Sequence, residues 1–154
     1  MTELVTYEKD ENVAIITLDD GKANAVSHQV IDELNAALDK AEEEKATVLL
    51  TGREGKFSAG FDLSVMKEGG PAAVGKLVGD GARLSQRLLA FPTPVIIACN
   101  GHSLAMGALM LLSVDYRIGV SGKYKVGLNE VAIGMTMPYF GVELARGRLT
   151  PSYF

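Results

Sequence analysis

Hydrophobic and polar positions alternate along residues 4–9 and again along 13–18, the two-residue period of a half-buried strand, with Asp10-Glu11-Asn12 between them as a polar hairpin turn. The period then changes. Val30, Ile31, Leu34, Ala37, Leu38 and Ala41 recur at helical spacing, which predicts a helix from Ser27, its N-cap, to about Glu44. Glu42, Glu43 and Glu44 oppose the dipole at its end, so fraying is expected there. A buried strand follows over residues 46–51, then a turn over 52–56. Strand, helix, strand in that order is the right-handed crossover of an α/β layer, with ligands expected in the loop after the strand. Gly69-Gly70-Pro71 breaks the chain before a second amphipathic helix over residues 72–90, with Val74, Leu77, Val78, Gly81, Leu84, Ser85 and Leu88 inward. Gly75, Gly79 and Gly81 each cost that helix about 1 kcal/mol relative to alanine, so residues 66–80 are expected to form a mobile cover.

Pro92 and Pro94 end that helix and open the stretch on which the rest is organised. Residues 95–99 form a β-branched apolar run expected to be buried on both faces, broken at Asn100-Gly101. From Ala105 to Leu112 the chain is apolar all round, a core helix far shorter than the roughly 20 residues of a membrane span. Its first N–H groups have no intrahelical acceptor and need a ligand oxygen, a water or a cap. Either a ligand approaches the open backbone around Gly107, or Ser103 caps the helix and Gly107 only permits tight packing. Strands over 115–120 and 124–128 follow, and Gly134 and Pro138 introduce a last helix over 139–148.

Composition narrows the partners. The chain has 154 residues, 47 % of them hydrophobic, which suits one domain with one core. A net charge of −4 and a pI near 5.2 argue against a nucleic-acid or basic membrane-surface protein. Cys99 is the single cysteine and lies in the apolar run, so no intramolecular disulfide forms and a reducing interior is expected. The N-terminal residues lack the order of a signal or transit peptide, and the expected location is cytoplasmic. No internal repeat or low-complexity segment is present.

Two glycine-centred corners, Ala59-Gly60-Phe61 and Ala105-Met106-Gly107, are the candidate chemistry. Two backbone N–H groups converging on one point form an oxyanion hole, and each such donor is worth about 2.7–4 kcal/mol in the transition state. Taken singly, either corner reads equally as a turn. Together they resemble a family. The order of Lys22-Ala-Asn-Ala25, Lys56-Phe-Ser-Ala-Gly-Phe-Asp-Leu63, the stretch from Pro94 to Ala108, and Asp115-Tyr-Arg-Ile-Gly119 is similar to that of the enoyl-CoA hydratase/isomerase (crotonase) family, over nearly the whole chain.

The resemblance implies an α/β fold, a spiral of β-β-α units, that holds the oxygen of an acyl-CoA thioester on the N–H groups of Phe61 and Met106. Contacts to the substrate would come from Lys22, Ala23, Ala59, Phe61, Asp62, Leu63 and Met106. Coenzyme A arrives as part of the substrate, and neither a separate cofactor nor a metal is expected. Two departures stand out. The position of one of the two glutamates usual in hydratases is Leu109 here, while the second is Glu130. The family also continues into helices that close the site and drive assembly, so the chain is expected to be the N-terminal part of a homotrimeric or dimer-of-trimers protein, or a fragment.

One carboxylate suffices to move a proton and shift a double bond from position 3 to position 2; adding water calls for a second group. Isomerisation of enoyl-CoA with Glu130 as acid/base is therefore the leading expectation. Hydration of 2-enoyl-CoA and a non-catalytic acyl-CoA-binding role are the alternatives. Val131, Ile133, Met135 and Met137 offer Glu130 an apolar surround that would raise its pKa. Asp62 is expected to shape its own loop, Asp115, His28 and His102 to be structural, and Lys22, Arg53, Lys56 and Lys67 to gather where coenzyme A phosphates would lie.

Overall fold

The computed structural model describes residues 3–154, and the chain winds four times through one pattern of strand, strand, helix. β1 (Val5–Asp10) and β2 (Val13–Leu18) form the predicted hairpin, with Asp10 opposite Val13. β3 (Ala25–Val26) leads into α1 (His28–Glu43). The second winding is β4 (Thr47–Gly52), β5 (Gly55–Ser58), β6 (Gly60–Phe61), α2 (Leu63–Glu68) and α3 (Gly70–Leu89). β7 (Val95–Cys99), β8 (Gly101–Leu104) and α4 (Met106–Leu112) make the third. β9 (Tyr116–Gly119), β10 (Val126–Gly127), a 3₁₀ turn at Val131–Ile133 and α5 (Tyr139–Arg148) make the fourth.

The first winding gives two strands and each later one adds a strand to a five-stranded sheet, in the order β1-β2-β4-β7-β9, parallel except for the first pair. A smaller parallel sheet, β10-β8-β5, and the pair β3-β6 take the second strands. This is the β-β-α spiral that the resemblance implied.

The predicted α1 stripe is the buried face of that helix, and Ser27 Oγ accepts from Val30 N at 3.2 Å. Fraying at its end is not what the structure shows. Ala46 N donates to Ala41 O at 2.9 Å and Lys45 N to Glu42 O at 3.1 Å, with Lys45 left-handed at φ 51. Glu44 turns its charge outward to Tyr7 Oη at 2.7 Å and Lys9 Nζ at 3.2 Å, so partners distant in sequence offset the dipole. Arg87 then ties α3 to α1 through Asn35 Oδ1 at 2.9 Å and Asp39 Oδ1 at 2.6 Å.

Further differences from the sequence pattern concern exposure and short elements. β7 buries Val95, Ile97 and Cys99 and leaves Ile96 and Ala98 half-buried, so only one face of the run is in the core. Residues 63–68 are helical and residues 101–104 pair as a strand, neither of which the hydrophobic pattern signals. The expected cover runs from the end of α2 through half of α3, jointed at Gly70 with φ 71. α4 is the expected core helix, buried from Met106 to Leu111. Cations close its C-terminal end: Arg117 Nη1 donates to Leu111 O at 3.2 Å, and Arg148 Nε to Leu112 O at 2.9 Å. Among the described residues, no helix is long and apolar enough to cross a membrane.

Candidate functional site

The first corner follows β5. Gly60 sits at φ +94, a conformation that side chains resist. The loop before β3 braces it from behind. Ala59 N donates to Ala23 O at 3.0 Å, Asp62 N to Val26 O at 3.0 Å, and Ser58 Oγ to Asn24 O at 2.7 Å. Asn24 is the buried centre of that brace: its Nδ2 reaches Leu18 O at 2.9 Å and Phe57 O at 3.1 Å, while its Oδ1 accepts from Asp20 N at 3.0 Å. Asp20 in turn accepts the amides of Lys22, Asn24 and Ala25 at 2.7, 2.8 and 3.0 Å. Burial pushes the Asp20 carboxyl up, but the amides of Asn24, Lys22 and Ala25, with the Arg53 guanidinium, outweigh it and hold the group below its ordinary value. Asn24 and Asp20 were not singled out from sequence. The available signal was one asparagine, a residue that tolerates the left-handed φ of 54 it adopts.

The second corner follows β8. Ala105 stands at φ 50, ψ −121, unusual for any residue with a Cβ. Leu109 N donates to Ala105 O at 3.0 Å as the first bond of α4, which leaves the amides of Met106, Gly107 and Ala108 without an intrahelical acceptor. Ser103 lies within β8 and does not cap the helix, which has no side-chain cap. Gly107 does serve tight packing, since a Cβ there would lie 2.8 Å from Ser58 O. The corners abut. A Cβ on Gly60 would stand 2.6 Å from the Ala105 Cβ and 3.2 Å from Met106 N. Phe61 is accommodated by Gly81 of α3, where a Cβ would come within 2.5 Å of its ring.

Beside the corners lies a cavity of about 600 Å³. Ala59, Phe61, Leu63 and Ala105 line one part, Met66, Val74 and Val78 the helical cover, and Asn129, Glu130, residues 133–136 and Pro138 the rest. Glu130 is 6 % exposed, and its Oε2 is buried without a hydrogen-bond partner. The expected apolar surround is present only in part. Val131 is 78 % exposed, Ile133 and Met135 line the cavity, and Met137 packs near Gly141 of α5. Leu109 is wholly buried and also meets α5, its methyls 3.2–3.3 Å from where a Gly141 Cβ would be; it is absent from the lining.

Other candidates fall into place around this. Asp62 caps α2, accepting from Ser64 N at 2.8 Å, as its loop-shaping role required. Lys22 and Ala23 are outside the cavity wall; the Lys22 carbonyl accepts from Arg53 Nη1 at 3.1 Å and Lys56 Nζ at 3.2 Å, while Lys67 rides separately on α2. His102 Nδ1 accepts from Lys125 N at 2.9 Å, and Asp115 Oδ2 from Val95 N at 2.8 Å. His28 faces Asp80, whose carboxyl Lys76 holds low against the opposing effect of burial, with Arg83 adding to the fall. Among the described residues, no group of three potential metal ligands gathers.

The family model for enoyl-CoA hydratase/isomerase matches residues 8–151. The chain belongs to that family. Among curated members it is 34 % identical to rat mitochondrial enoyl-CoA delta isomerase 1 over 141 residues, covering 89 % of this chain and 49 % of that one. It is 36 % identical to the short-chain-enoyl-CoA hydratase of Clostridium acetobutylicum, covering 89 % and 53 %. The structure matches a Pseudomonas syringae enoyl-CoA hydratase/isomerase family protein with TM-score 0.95 at 52 % identity, over 97 % of this chain and 64 % of that one. Human mitochondrial delta3-delta2-enoyl-CoA isomerase matches with TM-score 0.86 at 31 % identity, over 94 % and 58 %. The chain spans about half the length of these curated relatives.

Proposed function

We propose that this member of the enoyl-CoA hydratase/isomerase family carries the reacting centre of an enoyl-CoA isomerase that moves a double bond from position 3 to position 2. The observation that carries the reading is the contrast between Glu130, on the cavity wall with a free buried oxygen, and Leu109, sealed against Gly141 away from it. The thioester oxygen accepts from the amides of Phe61 and Met106. Glu130 removes a proton from C2, and the electrons pass into a dienolate whose charge rests on that oxygen. The same carboxyl returns the proton to C4, which leaves the double bond conjugated with the thioester. Ala59, Leu63 and Asp62 shape the thioester side of the site. Lys22, Ala23, Arg53 and Lys56 are the surface for the coenzyme A phosphates, with coenzyme A part of the substrate.

A single domain, cytoplasmic location and a trimer remain part of the proposal. Location rests on the free buried Cys99, although relatives are named mitochondrial and peroxisomal. The test offers 3-enoyl-CoA and 2-enoyl-CoA to the chain and follows double-bond absorbance. Turnover of the 3-enoyl form should fall about 10²–10⁴-fold in Glu130→Gln. Full activity in that variant would remove Glu130 as the base, and binding without turnover of either thioester would favour a non-catalytic subunit.

A further inference from the structure

The glycines inside α3 are not equivalent. A Cβ at Gly75 would meet no described atom within 4 Å, and one at Gly79 would meet the Arg83 guanidinium at 3.7 and 3.8 Å. Gly81 is buried, with no left-handed φ to call for glycine, and glycine weakens a helix interior relative to alanine. What it supplies is room. A Cβ there would lie 2.5 Å from Phe61 Cζ, 2.7 Å from Phe61 Cε1 and 3.3 Å from Met106 Sδ. Those two side chains come from different windings, one from β6 and the other from the start of α4, and they belong to the two residues read as oxyanion donors. The same helix also carries Val74 and Val78 on the cavity wall. One helix is thus both a wall of the cavity and the common seat of the two corners.

We infer that Gly81 is a positioning residue, which lets α3 seat the side chains of Phe61 and Met106 together and so keeps their amides aimed at one thioester oxygen. The inference rests on the reading of those amides as the oxyanion donors and adds to it. Met106 is wholly buried and has nowhere to swing, whereas Phe61 is half-buried and has the cavity beside it. A methyl group at position 81 therefore drives the Phe61 ring toward the cavity and turns the first corner while the second stays in place. Donors serve an oxyanion only within a narrow range of distances, so two amides that no longer share a point lose most of their effect. The loss falls on the transition state, because charge gathers on the thioester oxygen there and not in the bound substrate.

The test compares the parent chain with Gly75→Ala, Gly81→Ala, Phe61→Leu and the Phe61→Leu/Gly81→Ala double variant, with thermal melting to verify folding. The infrared carbonyl stretch of a saturated acyl-CoA, labelled with ¹³C at the thioester carbon, reads the donors directly. It should fall on binding to the parent and to Gly75→Ala, and Gly81→Ala should lose most of that fall. With 3-enoyl-CoA, kcat of Gly81→Ala should drop by about 10–10²-fold while KM changes less than about threefold. Leucine lacks the two ring atoms that the new methyl meets, so adding Gly81→Ala to Phe61→Leu should leave both readings at the level of Phe61→Leu alone. A full shift in Gly81→Ala, or a raised KM with kcat unchanged, would overturn the inference and leave the proposed function standing. No shift in the parent would overturn the proposed function along with it. Should Gly81→Ala fail to fold, the double variant decides: readings equal to those of Phe61→Leu support the inference, and a folded double variant with a further loss overturns it.

Discussion

The two corners beside the cavity are built differently. At the first, Gly60 takes a left-handed backbone without a Cβ to resist it, and a dense set of bonds from Asp20, Asn24 and Ser58 fixes the surroundings. At the second, an alanine holds a conformation disfavoured for it, and the corner amide, Ala105 N, donates to Gly127 O at 3.0 Å, in a two-residue strand whose Val126 is 59 % exposed. The first corner is set by a glycine and by polar bonds that reach it from the loop before β3, 34 positions earlier in the case of Ser58 and Asn24. The second is imposed by its position between β8 and α4, and its strain, of order 1–3 kcal/mol, is carried by packing around a wholly buried Met106.

Substitutions at these corners should rank accordingly. Gly60→Ala breaks the first corner and reaches the second, since its Cβ meets Ala105 and Met106; it should destabilise the chain by roughly 3 kcal/mol or more in urea unfolding and abolish thioester binding. Gly81→Ala pushes on the Phe61 ring and should cost about 1–2 kcal/mol, whereas Gly75→Ala, with nothing within 4 Å of the new Cβ, should add about 1 kcal/mol. If both changes stabilise equally, Gly81 is not there to make room for Phe61. Ala105→Gly relaxes the second corner and should stabilise by about 1 kcal/mol after the greater freedom of glycine in the unfolded chain is subtracted. A clear loss of stability would show that the alanine is not strained.

The smallest effect concerns acid. Because Asp20 is held below its unfolded value, its stabilisation is complete above about pH 4 and is lost as the pH falls through the lowered folded value. Asp20→Asn should therefore flatten the fall in urea midpoint as the pH drops below about 4. An unchanged slope would mean that the brace behind the first corner does not depend on that charge.

Much of this was readable from residues. The α1 stripe, the β1–β2 hairpin, the limits of α5 and the two glycine corners follow from periodicity and turn chemistry, which act over a few neighbours. β8 and α2 were not, because a four-residue strand and a six-residue helix carry too few periods to register against their surroundings. Nor was the end of α1, where Tyr7 and Lys9, more than thirty residues away, answer the acidic run. By itself the amino-acid order determined which segments would be apolar enough to enter a core and where the backbone could turn sharply. Tertiary structure alone decided that Leu109 turns to α5 while Glu130 reaches the cavity, and that Ala105 must bend beside Gly60. Those outcomes depend on which surfaces meet across distant windings, and a contact of that kind has no signature in the local pattern of either partner.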